Sequence, residues 1–132
     1  MQITDKDGGL AVELRSPKGD FPVYQSSSGD RTYWNEVIDF TASGDNTIHT
    51  PASGKKFYVE SLVFSIGASG EVQLKSGTTK ISGPMNLAAY GGIAIDHADT
   101  MLRGRAVDNA FILTVSNAAT LDVGGYALGY DE

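Results

Sequence analysis

Cysteine is missing altogether from this 132-residue chain, which rules out disulfide staples, thiol nucleophiles and zinc sites built on thiolates. Histidine is nearly missing: the two in the sequence leave little for imidazole-based metal or acid–base chemistry. Cations are scarce too. The 10 Lys+Arg stand against 16 Asp+Glu, a net charge of -6 that opposes the phosphate backbone on which nucleic-acid affinity rests. Direct nucleic-acid binding is therefore not expected. No run approaches the roughly 18 apolar residues of a membrane span, and residues 1–7 lack the apolar centre of a signal peptide. The expectation is synthesis in the cytosol and release, if any, by lysis. Helical periodicity of useful length is also lacking, and with it the alternation of strands and helices that a Rossmann or P-loop enzyme requires.

What is present is the composition of one lean globular domain. Hydrophobic residues make up 41% and charged residues 20%, too apolar a balance for a disordered chain. A chain of this length buries roughly two-thirds of the surface it exposes unfolded, so a core is feasible with a narrow margin over conformational entropy. Burial between subunits would widen that margin. Glycine, at 16 residues, is the main punctuation.

Residues 1–32 differ from the rest in having no lasting periodicity. Gly8-Gly9, Pro17-Lys18-Gly19-Asp20 and Ser26-Ser27-Ser28-Gly29-Asp30 read as turns, with short extended pieces at 10–15 and 21–25 between them. In the first piece Leu10, Val12 and Leu14 alternate with Ala11, Glu13 and Arg15, the period of a half-buried strand or of one that forms on docking.

From residue 33 onward, short runs rich in β-branched and aromatic residues alternate with Gly, Ser, Asn and Asp clusters. Trp34, Ile38 and Phe40 share one parity. Over 55–66 the parity changes, with Phe57 and Val59 on one face and Leu62, Phe64 and Ile66 on the other. A β-bulge near Glu60-Ser61 is expected to return both sets to one core. Residues 71–75 alternate cleanly, with Val72 and Leu74 inward, and are expected to form a hairpin with 55–66 through Gly67-Ala68-Ser69-Gly70. Residues 83–92 read as a loop anchored by Met85, Leu87 and Tyr90. Of the last two strands, 110–116 turns Phe111, Leu113 and Val115 inward. The other, 120–130, shifts parity at Gly124-Gly125 from Leu121 and Val123 to Tyr126, Leu128 and Tyr130, which reads as a second bulge. Such short strands, separated by turns and free of helix, predict an all-β, two-sheet sandwich.

Few constellations carry chemistry. No serine sits in a Gly-x-Ser-x-Gly elbow, so a nucleophilic hydrolase is not expected. The densest polar cluster is Asp96-His97-Ala98-Asp99, followed by Arg103-Gly104-Arg105. Neighbours in an extended segment point to opposite faces and no second histidine lies at ligand spacing, so metal binding is disfavoured. The cluster reads as a solvated loop whose carboxylates pair with Arg103 or Arg105. Its mixed charge also makes Asp96, His97, Asp99, Arg103 and Arg105 a candidate intersubunit contact. His49 reads as a partly buried polar residue. Asp5-Lys6-Asp7-Gly8-Gly9 lacks the third oxygen ligand and closing Glu of a calcium loop and reads as an acidic turn. Tyr24, Tyr33, Trp34, Phe40, Tyr58, Tyr90 and Tyr126 are the aromatics that a sugar-stacking platform could use, although most lie at core or interface parity. No catalytic residue, cofactor or metal site is expected.

Three segments resemble small tailed-phage virion proteins. Thr50-Pro51-Ala52-Ser53-Gly54-Lys55-Lys56 has the form of their (Thr/Ala)-x-Ser-Gly-Lys-Lys turn, and the apolar strand that follows it there is matched by Phe57-Tyr58-Val59. Ile81-Ser82-Gly83-Pro84-Met85-Asn86-Leu87-Ala88, with Gly91-Gly92 after it, is similar to their Ile-Ser-Gly-x-Met-x-Leu-Ala loop and Gly-Gly step. The stretch from Leu113-Thr114-Val115 to Gly124-Gly125-Tyr126 is similar to their closing hairpin. Residues 103–108 depart from the family's Ala-Gly-Glu-like turn.

The resemblance implies a jelly-roll-like antiparallel β-sandwich over residues 33–132 and an extended N-terminal arm over 1–32. It further implies a capsid cement or decoration protein on the exterior of the phage head, often a homotrimer at local threefold positions. Its partners would be the major capsid protein and itself; the short extended pieces within residues 1–32, which the resemblance does not cover, supply Leu10, Val12, Leu14, Phe21 and Tyr24 as the arm's candidate contacts. The alternative is a receptor- or saccharide-binding head on a phage fibre or tail.

Overall fold

The computed structural model of the chain describes residues 3–5, 8–9, 30–116 and 122–132. They form β1 (Ile3–Asp5), β2 (Gly8–Gly9), β3 (Thr32–Phe40), β4 (Gly44–His49), β5 (Phe57–Ile66), β6 (Gly70–Ser76), β7 (Thr79–Lys80), β8 (Met85–Leu87), β9 (Gly92–Asp96), β10 (Phe111–Ser116) and β11 (Val123–Asp131). No α-helix occurs among these residues. Two units separate along the chain, Met1–Arg31 and Thr32–Glu132. In the first, β1 and β2 pair antiparallel. The expected extended pieces at 10–15 and 21–25, which carry Leu10, Val12, Leu14, Phe21 and Tyr24, lie outside the described residues.

In Thr32–Glu132 nearly every connection switches sheets. β3, β11, β5 and β9 lie side by side in one antiparallel sheet; β4, β10 and β6 form the other, with β7 and β8 along the free side of β6. The pairs nest: β3 with β11, β4 with β10, β5 with β9, and β6 with β7 and β8. A long hairpin rolled up on itself gives this order, which is the jelly roll. The all-β sandwich expected from the turn spacing is therefore the fold of this unit.

Two expected hairpins prove to be crossovers. β5 and β6 sit in opposite sheets despite the short Gly67-Ala68-Ser69 connection, and so do β10 and β11. Each of these strands turns an apolar side to the core, and facing sheets bury those sides against each other. A short glycine-containing turn marks a reversal in sequence without saying whether the chain returns within the sheet or across the core.

Bulges decide which residues reach that core. Leu128 of β11 lies opposite Ser61, while Gly129 lies opposite Val59, so Glu60 is an extra residue in β5. Its effect is the expected one: Phe57, Val59, Leu62, Phe64 and Ile66 are all 2% exposed or less. At Gly124-Gly125, by contrast, the register of β11 on β3 runs unbroken from Val123 to Asp131. The inward apolar residues are Val123 and Ala127, and Tyr126 and Leu128 stand on the outer face, 46% and 38% exposed. Size misled the sequence reading here: the larger side chains of β11 face outward. Tyr90, expected as a buried anchor, is exposed, while Met85 and Leu87 of β8 are half-buried against the core.

Candidate functional site

A bulge in β4 carries a histidine between the sheets. Phe111 pairs with His49 and Ile112 with Thr47, which leaves Ile48 as the extra residue and buries both Ile48 and His49. His49 Nδ1 lies 2.8 Å from Glu36 Oε2 on β3, and Nε2 lies 2.9 Å from Asp131 Oδ1 on β11. Asp131 also accepts the Ala52 backbone N–H at 2.9 Å. Trp34 stacks on the imidazole, with ring centroids 4.0 Å apart and planes 15° apart. Both ring nitrogens are engaged and one face is covered, so the cluster works as a clamp from the β4-β10-β6 sheet onto β3 and β11 of the facing sheet. The sequence identified His49 as partly buried but missed its partners, which are 13 and 82 residues away.

The expected intersubunit loop follows β9 and is split by the fold. His97 turns at φ 53° with its ring in solvent. Asp96 accepts the His97 backbone N–H at 3.1 Å, and Asp99 accepts the Tyr130 hydroxyl at 3.0 Å. Backbone bonds then fasten the loop along β5, Val59 N–H to Leu102 O at 2.8 Å and Gly104 N–H to Phe57 O at 2.8 Å. Beyond that seam, the Arg105 guanidinium donates to the Arg103 carbonyl at 3.0 Å. The expected pairing of Asp96 or Asp99 with Arg103 or Arg105 is thus not formed. Arg103 and Arg105 instead line a cleft of about 310 Å³ with Lys56 and Tyr58. Asp96, His97 and Asp99 line a separate one of about 320 Å³ with Glu60, Ser61 and Leu128. The tight turn closed by Leu102 N–H to Ala98 O, 2.7 Å, aims the two charge groups apart.

The two outer faces of the sandwich differ more than their strands do. On the β4-β10-β6 sheet the outward side chains include Glu71, Gln73, Lys75, Thr114 and Asp45, linked by Lys75 Nζ to Asp45 at 3.2 Å and by the Thr114 hydroxyl to Asp45 at 2.6 Å. That is a solvated face. On the β3-β11-β5-β9 sheet the registers align outward residues in rows across the strands. One row is Tyr33, Tyr130 and Tyr58, extended by the Arg103 bridge; the next is Asn35, Leu128, Ser61 and Asp96. Val37, Tyr126, Val63 and Ala94 follow, and then Asp39, Gly124, Ser65 and Gly92. Tyr58 and Tyr130 stack at 4.9 Å, and Tyr33 meets Tyr130 edge-on at 5.9 Å. Val37 is 80% and Tyr33 61% exposed. This is a contiguous apolar and aromatic band with charge confined to its margins. Sequence reasoning missed it because alternation was read as one wet and one dry face, and here both faces of the strands are apolar.

No family model matches the chain, and no curated protein is similar to it in sequence. Among solved structures it is similar to a subunit from Bacillus endospore appendages, described as forming a family of disulfide-linked pili. Identity is 13% over 76% of this chain and 86% of that one, with a TM-score of 0.48. It is also similar to the Tobacco streak virus coat protein, at 13% identity over 83% of this chain and 91% of that one, TM-score 0.41. A second structure of that coat protein, as a dimer, gives 14%, 83%, 90% and 0.40. The structural neighbours therefore include viral coat proteins alongside a pilus, and at these TM-scores they assign this chain neither family nor function.

Proposed function

We propose that the chain is a structural virion protein, a cement or decoration protein on the exterior of a tailed-phage head. The observation that supports this reading is the apolar outer face of the β3-β11-β5-β9 sheet, on a jelly roll whose other outer face is solvated. A partner surface, on the shell or on a neighbouring copy, would cover that band. Residues 1–32 supply the arm, with Leu10, Val12, Leu14, Phe21 and Tyr24 as its anchors on the major capsid protein or a neighbouring copy. Many such clamps acting together hold a shell against internal pressure. Catalysis has no part in this reading, nor does a cofactor, and the resemblance implies assembly in threes. Co-sedimentation with shells of the major capsid protein tests it. The full chain is expected to bind saturably, and a chain lacking residues 1–32 to unfold cooperatively as before but to stay in the supernatant. Binding undiminished by the deletion would remove the arm from the account.

A receptor- or saccharide-binding head is the second reading, favoured by the placing of Tyr33 and Tyr126 on one exposed face. Aromatic faces stack on sugar C–H groups. A glycan array probed with the isolated chain distinguishes the two: selective binding lost in Tyr33→Ala and Tyr126→Ala favours adhesion.

A further inference from the structure

We propose that the outer face of the β3-β11-β5-β9 sheet pairs with the same face of a second copy, face to face about a two-fold axis. The inference rests on the reading of this face as an interaction surface and names what covers it. Its four rows form a rectangle. Arg103 extends one corner, beside Lys56 and Arg105 in the cleft they share with Tyr58. Asp39 occupies the diagonally opposite corner, and Asp122 lies beside it in a concavity of about 300 Å³ that Tyr90 also lines. Among the described residues no carboxylate lies within ion-pair distance of Arg103, Arg105 or Lys56. In a chain of net charge -6, a second copy is a ready source of acid groups.

Opposite charges at opposite corners make the face complementary to itself. A two-fold axis in the contact plane, running between the other two corners, superposes each cationic corner on the partner's acidic one. Leu128 and Val63 then fall on the axis and meet their own copies, and Val37 lies over Tyr58. The strands of the two sheets cross steeply, in the orthogonal class of sheet packing. An axis along the other diagonal, from the Arg103 corner to the Asp39 corner, would instead set cations against cations and acids against acids, which disfavours it. Four strands of seven outward-facing and inward-facing positions span roughly 20 Å by 25 Å. That is below the standard interface of roughly 800 Å² per partner, so pairing is expected to be concentration-dependent rather than permanent. In place of the threes implied by the resemblance, this face builds twos.

Sedimentation equilibrium of the full chain from micromolar to millimolar concentration tests the pairing. The wild type is expected to reach twice the monomer mass. Leu128→Lys, which sets two ammonium groups together on the axis, is expected to stay single with unchanged thermal unfolding. Arg103→Asp and Asp39→Arg are each expected to weaken pairing at least tenfold, and the double exchange to restore it. A wild type that stays single or forms threes overturns the inference, as does a double exchange that fails to restore the pair. Shell binding is measured separately: a pairing chain that binds no shell removes the proposed function and leaves the pair standing.

Discussion

His49 shows how a polar residue can hold two apolar layers together. Its two carboxylate partners sit on strands of the opposite sheet, and Asp131 is even more buried than the ring. Replacing His49 with Ala leaves Asp131 facing a void with only the Ala52 N–H. Breaking a buried pair in this way costs on the order of 3–5 kcal/mol, and urea unfolding of His49→Ala is expected to show a loss of about 3 kcal/mol at unchanged slope. A loss below about 0.5 kcal/mol, the level of a neutral surface change, would remove the clamp. Gly129 is a residue of a different kind. A Cβ there would sit 2.0 Å from the Tyr58 carbonyl oxygen and 2.6 Å from Trp34 Cζ2, so Gly129→Ala is expected to cost more than about 2 kcal/mol. Asp45 lies at the surface, where the Thr114 hydroxyl, then Lys75, hold its carboxyl below the ordinary value of 3.8. A depressed carboxyl stabilises the fold above its unfolded value and loses that contribution as pH falls through the folded one. An NMR titration is expected to place the Asp45 midpoint below 3.8, and Thr114→Val to raise it.

Strand identity was largely legible because alternation and turn residues are local signals. The Glu60 bulge was legible too: two apolar sets of opposite parity in one strand require an extra residue between them. The β4 bulge escaped because Ile48-His49 is one apolar and one polar residue, with no parity conflict to expose it. Sheet partners were not legible, since β5 and β6 face each other across a core rather than pairing, and the same short turn serves either arrangement. The separation of Asp96 and Asp99 from Arg103 and Arg105 likewise depends on a seam with β5 that nothing local encodes. At this scale the sharpest test is deletion of Glu60. It shifts one half of β5 by a residue and moves either Phe57 and Val59 or Leu62, Phe64 and Ile66 to the outer face. Near-ultraviolet circular dichroism is expected to show no packed core, whereas Glu60→Ala, which keeps the count, is expected to fold.

Across the whole molecule, the contrast between the two outer faces organises the account. A charged face linked through Asp45, Lys75 and Thr114 is suited to water. The opposite face carries Val37, Tyr126, Leu128 and Tyr33 in the open, with charges at its margins. Without cysteine to staple it, a lean jelly roll gains endurance from burial against neighbours, and the exposed band is the surface on which that burial is available. The measurement that bears most directly on this claim is co-sedimentation of the Val37→Glu,Tyr126→Asp double variant with shells of the major capsid protein. Both side chains are solvent-exposed in the free chain, so thermal unfolding is expected to match the wild type, while shell binding is expected to fall at least a hundredfold. Binding equal to that of the wild type, by a variant that remains folded, would contradict the account.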